Sequence, residues 1–484
     1  MHPRVIISVL GAVTAAAGVA MLVPAIFSVV IGDGNTLAFG LPALLAVILG
    51  STAFGLTRAS TRASETFVSG RDVFFVVTAG WIGVALVGSV PFVLSGSMGP
   101  VDAFFDSMAG FTTTGASVVA PEDLTPSLLL WRSMTQWAGG IGIVVLFVAV
   151  APLVGFGSTQ LYTAEAATPV VERLTPRIQD TAKVLTYIYL TLTLGILAAL
   201  FLAGMGPFDA VNHALTTVST GGYSTHSDSI AAFDSWVIEL VVVLGMVLSG
   251  TNFALYFHAT QGRLRRALGN SEFLAYVGII LSVTVMMTAS LYAFDYQESL
   301  VFAFREALFQ SASLITGTAF STADWNAWDP LSQGLLMVLM VLGGCAGSTS
   351  GGLKVIRVVL LVRHATQESF RMVHPRAVTP LKLGSRVVPE RMRTAVLGFF
   401  FVYVATLLAG TLLIALYQVP LGDAFGSVFA CLNITGTALG PVGSPEFYSD
   451  LPGPAKISLT LFMLLGRLEL FTVLVLLTPA FWRG

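Results

Sequence analysis

Apolar stretches long enough to cross a bilayer recur along almost the whole of this 484-residue chain, which leaves it few folds. A crossing helix needs about 17–25 such residues, and only helices or closed barrels satisfy their backbone polar groups in lipid. Stretches of that kind lie at 5–30, 37–56, 73–94, 128–153, 184–202, 236–257, 274–294, 331–362, 395–416 and 457–481. The first follows Arg4 like a signal peptide, but it outruns the ~7–15 residues of a signal core and reads as a retained span. Only 10% of the residues are charged and 55% are hydrophobic. A water-soluble surface usually needs about 25% charged residues. The expected class is an all-α polytopic membrane protein with ten transmembrane helices.

Basic residues orient those helices. With the N-terminus inside, the inner segments hold Arg4, then Arg58, Arg62 and Arg71, then Arg173, Arg177 and Lys183, then Arg263, Arg265 and Arg266. Arg363, Arg371, Arg376, Lys382, Arg386, Arg391 and Arg393 follow, and Arg483 ends the chain on the same side, which places eighteen of the 24 basic residues there. This is the positive-inside pattern and puts both termini in the cytoplasm. A net charge of −2 gives no support to a nucleic-acid partner. Cys345 and Cys431 are far apart, and the six histidines show no ligand spacing. No Ser/His/Asp constellation suggests an enzyme. No glycine motif for a nucleotide or other organic cofactor stands out.

A shorter motif repeats between the spans. DAFFDSMAGF, DAVNHALTTV, EALFQSASLI and DAFGSVFACL start at Asp102, Asp209, Glu306 and Asp423, all on the expected outer side. Thirteen residues after each acid stand Gly115, Gly222, Ala319 and Gly436, inside Thr- and Gly-rich sequence. A shared count in four segments is an internal repeat. Its boundaries run 71–154, 181–262, 272–362 and 393–482, after a helix pair at 1–57. Two spans per repeat return the chain inside, so all four short segments enter from the same face and can meet on one axis. Each short helix would aim its negative C-terminal end at that axis. The stretch after it can turn carbonyls inward to replace the hydration shell of a cation. Re-entrant plugs that merely pack between helices are the plainer alternative.

These residues resemble the Trk/Ktr/HKT cation transporter family. FTTTGAS (111–117) and STGGYSTH (219–226) are similar to its first two filter segments. GGCAGSTSGGLKVIR (343–357) and GRLELFTVLVL (466–476) resemble its third- and fourth-repeat second helices, and the extra helix pair resembles its TrkH branch. The resemblance implies four membrane–pore–membrane repeats in pseudo-fourfold arrangement, with potassium as the transported substrate. It also implies a homodimer in the bacterial plasma membrane, docked on a cytoplasmic nucleotide-binding ring of the TrkA type. The implied filter is Thr112, Thr113, Thr114 and Gly115; Ser219, Thr220, Gly221 and Gly222; Thr316, Gly317, Thr318 and Ala319; and Asn433, Ile434, Thr435 and Gly436. Glycine at the last position of the first segment leans towards potassium in that family. Ala319 departs from glycine, which weakens strict potassium-over-sodium selectivity unless Gly317 takes its role by a register shift.

Two features suggest a gate. Gly343, Gly344, Cys345, Ala346, Gly347, Ser348, Thr349, Ser350, Gly351 and Gly352 interrupt the stretch 331–362. Glycine costs a helix about 1 kcal/mol each against alanine. A close helix-packing patch is one reading; a loop that blocks or opens the inner cavity is the other, with Lys354 near the exit. Arg467 lies ~15 Å into the last span, where a charge must face a cavity or a partner. It either makes a structural contact or faces the ion path, touches the glycine loop and raises the barrier to cations. The four leading acids are expected to cap the short helices. Glu122, Asp228, Asp324 and Asp450 are solvated surface or enrich cations at the mouth, and the basic segment 363–393 is an ordinary inner loop or the docking face. A proton- or sodium-coupled symporter also uses broken helices, with Arg467 and Glu469 as its only inviting pair.

Overall fold

A computed structural model describes residues 1–62, 70–154, 178–377, 380–383 and 386–483 of the chain. Arg173 and Arg177, counted above among the inner residues, lie outside them.

Helix occupies each of the ten expected stretches, but fewer cross unbroken than the sequence suggested. Among the described residues six helices are continuous and apolar enough to span: Pro3–Ile31, Thr36–Thr57, Arg71–Leu94, Ala182–Leu202, Ser271–Ala293 and Met392–Ala415. The other four are broken. Pro126–Val154 kinks at Gly142, whose φ of 75° and ψ of 161° are not helical. Trp236–Ser249 turns by 93° into Phe253–Thr260, and Gly453–Arg467 turns by 114° into Phe471–Leu477. Pro330–Leu342 and Val355–Val373 are separated by the glycine-rich segment 343–354. Only this last break was expected. The break at 250–252 is fixed locally, because the Asn252 side chain caps the next helix by accepting from the Ala254 amide at 2.9 Å.

The first two helices form a hairpin held at very short range. A Cβ on Gly18 would lie 2.7 Å from the Ala43 carbonyl oxygen, and one on Gly50 would lie 2.5 Å from the Ala15 amide. Small residues of this kind let helix backbones approach closely in lipid. Among the longer helices sit four shorter ones, Pro100–Phe111, Pro207–Val218, Leu300–Thr316 and Leu421–Asn433. Their C-terminal halves are buried, while Leu37, Leu202, Phe401 and Leu416 on the long helices are exposed. Apolar residues outside and polar backbone inside is the arrangement lipid demands.

The basic segment is not a plain loop. Lys382–Leu383 pairs antiparallel with Arg386–Val387. Leu381 and Val388 at the base of that hairpin pack with Leu360 and Val396.

Candidate ion pathway

Three of the four short helices begin two residues before the expected acid and the third begins six residues before it, so the acids do not cap them. Their N-caps are Gly99, Gly206, Ser299 and Pro420. Asp102, Asp209 and Asp423 stand in the first turn, and Glu306 lies further inside a longer third helix. Proline at the first positions of the first two helices already removes a backbone donor that would need a cap. Asp102 instead binds the Lys456 ammonium at 2.5 Å, joining the first short helix to the last repeat.

After each short helix the chain turns in the same way. Thr113, Thr220, Gly317 and Ile434 have φ of 57°, 54°, 74° and 58°, and Gly115, Gly222, Ala319 and Gly436 have φ of 79°, 78°, 58° and 65°. The amides follow the same register. Those of Thr113, Thr220, Gly317 and Ile434 donate three residues back, to Gly110, Thr217, Leu314 and Cys431. Those of Thr114, Gly221, Thr318 and Thr435 donate five residues back, to Ala109, Thr216, Ser313 and Ala430. There is therefore no register shift in the third segment. Gly317 stands where Thr113 does, and Ala319 holds a left-handed conformation that costs an L-residue roughly 1–2 kcal/mol.

With the amides turned back onto the helix ends, carbonyls are left over. Those of Thr113, Thr114, Thr220, Gly317, Thr318, Ile434 and Thr435 accept no hydrogen bond from any described residue. The segments also touch one another in cyclic order. A Cβ on Gly115 would overlap the Gly221 carbonyl, one on Gly222 the Thr318 carbonyl, and one on Gly436 the Thr114 carbonyl. A Cβ on Gly317 would lie 2.9 Å from the Ile434 carbonyl, which closes the ring between the third and fourth segments. Glycine is required where backbones approach this closely.

One face of this ring opens into a cavity of about 540 Å³ lined by Gly115, Gly221, Gly222, Ala319, Thr435 and Gly436. Asp228 and Asp324 also line it. Glu122 is engaged by the Ser227 amide at 2.7 Å.

The opposite face meets the glycine-rich segment. A Cβ on Gly351 would overlap the Asn433 carbonyl, and the Thr349 hydroxyl lies 3.3 Å from that of Thr220 and donates to the Val218 carbonyl at 3.2 Å. The segment is pinned elsewhere by Cys345, whose amide donates to Gly250, and by Gly347, whose carbonyl accepts from Phe253. Gly343 and Gly352 pack on one another, Gly344 lies against Ser350, and Ser348 turns back on Cys345. Lys354 is buried, and its ammonium folds back onto the Ser350 carbonyl rather than standing free at an exit.

Arg467 joins these parts. Its guanidinium donates to Thr113 Oγ1 at 3.2 Å, to the Thr349 carbonyl at 2.7 Å, and to the Gly139 and Gly140 carbonyls at 2.5 and 3.2 Å. It touches both the turn at 112–115 and the glycine-rich segment, and its charge is met by carbonyl dipoles. Glu469 is held by Arg357 instead.

Several contributing residues were not assigned a role from the sequence. Glu272, at the start of a span, accepts from the Ala346 amide at 2.6 Å and so pins the glycine-rich segment. Gln136 reaches across to the turn that holds Gly221 and Tyr223. Tyr223 donates to the Ala116 carbonyl at 3.0 Å, and Tyr448 to the Gly436 carbonyl at 2.9 Å. Each lies far in sequence from part of what it holds, so no local spacing marks it.

Similarity to known proteins fits this arrangement. The chain is 38% identical over 488 residues to the Trk system potassium uptake protein TrkH of Salmonella typhimurium, with all of both chains covered. It is 40% identical over 497 residues to TrkH of Halomonas elongata, again over all of both chains. To TrkG of Escherichia coli it is 30% identical over 491 residues, covering 100% of this chain and 99% of that one. The crystal structure of the potassium transporter TrkH from Vibrio parahaemolyticus superposes with a TM-score of 0.89 at 37% identity, over the full length of both. Residues 43–483 match the TrkH family, described as cation transport protein, and the chain belongs to that family.

Proposed function

We propose that this chain carries potassium ions into the cell across the bacterial inner membrane, through a single pore whose filter is the ring of four segments ending at Gly115, Gly222, Ala319 and Gly436. The observation that carries this reading is the ring itself. Four backbone turns in one register, most of whose carbonyls meet no donor among the described residues, come together in cyclic order beneath a shared cavity. Such carbonyls can replace the hydration shell of a cation, and the C-terminal ends of the short helices add negative potential. The names of the relatives support potassium as the ion.

In this reading the four repeats at 71–154, 181–262, 272–362 and 393–482 surround one axis. The glycine-rich segment and Arg467 form the gate on the inner side, and both termini lie in the cytoplasm. The distribution of basic residues supports that orientation. The chain works as a homodimer on a cytoplasmic nucleotide-binding ring, with the folded hairpin at 382–387 within the basic segment that receives it. Mixing the purified protein with such a ring tests the last point, since Ala at Arg363 and Lys382 should weaken the complex.

Flux in proteoliposomes tests the central claim. Potassium and rubidium should pass down their gradients well ahead of sodium and lithium, with no added proton or sodium gradient. A strict requirement for such a gradient would replace the pore with a coupled symporter. In the same assay Ala319→Gly should raise the potassium-to-sodium ratio about fivefold, the factor for about 1 kcal/mol. It removes the one methyl group from a level where the other three segments bring a neighbouring carbonyl against a bare Cα. An unchanged ratio would show that the third segment already holds the potassium geometry.

A further inference from the structure

At the third filter position the first, third and fourth segments carry Thr114, Thr318 and Thr435, and the second carries Gly221. In all three, the threonine hydroxyl ties the segment to itself. Thr114 Oγ1 lies 2.8 Å from Thr112 Oγ1, and Thr318 Oγ1 lies 2.7 Å from Thr316 Oγ1. In the fourth, Thr435 Oγ1 donates within its own segment to the Thr437 carbonyl at 3.1 Å. The second segment has no such side chain.

The place of that side chain is taken by another repeat. A Cβ on Gly221 would overlap the carboxamide of Gln136, which projects from Pro126–Val154 of the first repeat. Gln136 is wholly buried and uses both ends of its amide on this strand. Its Nε2 donates to the Gly221 carbonyl at 2.7 Å, and its Oε1 accepts from the Tyr223 amide at 3.1 Å. One turn earlier on the same helix face, the Arg132 guanidinium stacks 4.0 Å over the Tyr223 ring. Among the described residues, Gly221 thus has the one third-position carbonyl that accepts a side-chain N–H; those of Thr114, Thr318 and Thr435 accept none.

We infer that Gln136 is a specificity-determining positioning residue that stands in for the threonine missing from the second strand. It fixes the Gly221 carbonyl and makes the four oxygens at that level of the filter unequal. The inference rests on the pore reading given above. Gly221 and Gln136 are then a matched pair. A side chain at 221 must push the carboxamide away and leave a buried amide without partners, a costly state. Losing the carboxamide alone leaves the strand free to turn.

The test is an exchange, read as potassium and sodium flux in proteoliposomes with folding checked by monodispersity and thermal unfolding. Gln136→Ala should lower the potassium-to-sodium ratio about tenfold, the factor for one buried hydrogen-bonding group left unpaired. Gly221→Thr should lose flux for every cation. The double variant Gln136→Ala/Gly221→Thr gives the second strand the threonine of the other three and the room to hold it, so flux should return. The double variant also decides the matter if either single variant fails to fold. A wild-type ratio in Gln136→Ala, or a double variant no better than Gly221→Thr, would overturn the role of Gln136 while leaving the pore intact. A wild-type protein that passes no cation would overturn the pore reading itself.

Discussion

Replacing Arg467 with alanine should increase potassium flux by as much as about a hundredfold. The guanidinium lies 3.2 Å from Thr113 Oγ1 and 2.7 Å from the Thr349 carbonyl, between a filter segment and the glycine-rich segment beneath it. A cation passing at about 6 Å meets a repulsion of about 3 kcal/mol at an effective dielectric of about 20. About 1.4 kcal/mol corresponds to a tenfold change in rate. The substitution also unties the glycine-rich segment from the Gly139 and Gly140 carbonyls of the first repeat, so two effects act in one direction. Arg467→Lys separates them, because it keeps the charge and loses the forked geometry. If the barrier is the charge, the lysine variant stays slow and Arg467→Gln speeds up. Equal flux in wild type and Arg467→Ala, with intact folding, would confine Arg467 to holding the helix break together.

Gly222→Ala should abolish selective conduction. The residue has a φ of 78°, and a Cβ there would interpenetrate the Thr318 carbonyl oxygen of the next segment. That atom is backbone, held by the Thr318 and Ala319 N–H groups that donate to the Ser313 carbonyl on either side of it, and cannot swing aside as a side-chain end would. Overpacking typically costs about 1–3 kcal/mol. Here it falls on the geometry of the ring, so flux should drop about a hundredfold. Gly278→Ala makes the matched control, since a Cβ there meets nothing within 4 Å, and its flux should match wild type. Ala319 shows why position alone does not set the effect. It stands at the equivalent place with φ of 58° and already carries a methyl group there. A Gly222→Ala protein that still discriminated potassium from sodium would mean that the contact between the second and third segments does not shape the filter.

The short helices were legible in the chain because their signal is local. An acid, an amphipathic dozen residues and a fixed count to a glycine identify Pro100–Phe111 and Pro207–Val218 to within two residues. The spans were legible for the same reason, since apolar length depends on no partner. The glycine-rich interruption after Leu342 was visible as composition. Some local readings still went astray. The acids looked like caps because their distance from the helix start was misjudged by a few residues, and Pro100 and Pro207 had already begun the helix.

What the chain alone did not determine is direction and partnership. An apolar scan measures length and is blind to bending, so 236–257 and 457–481 read as straight spans. The residues of the break itself, 468–470, include no glycine or proline, and the nearby Gly466 lies inside the helix. Glu469 and Leu470 take φ of 57° and 36° there, with Glu469 bound to Arg357 and Arg467 bound to three other elements. Those contacts hold a conformation that local propensity disfavours. The register of Ala319 was likewise undecided in the sequence, because either glycine or alanine at 317 and 319 could supply the turn. It was settled by amides that return to Leu314 and Ser313 as their counterparts do in the other repeats. Gln136 carried no signal at all. A glutamine inside a span acquires meaning only when folding brings Gly221, eighty-five positions away, against its amide. The sequence determined which segments exist and which faces are apolar, since those follow from short-range composition. Tertiary structure decided where helices break and which carbonyls remain free, since both depend on hydrogen-bond partners that only packing supplies.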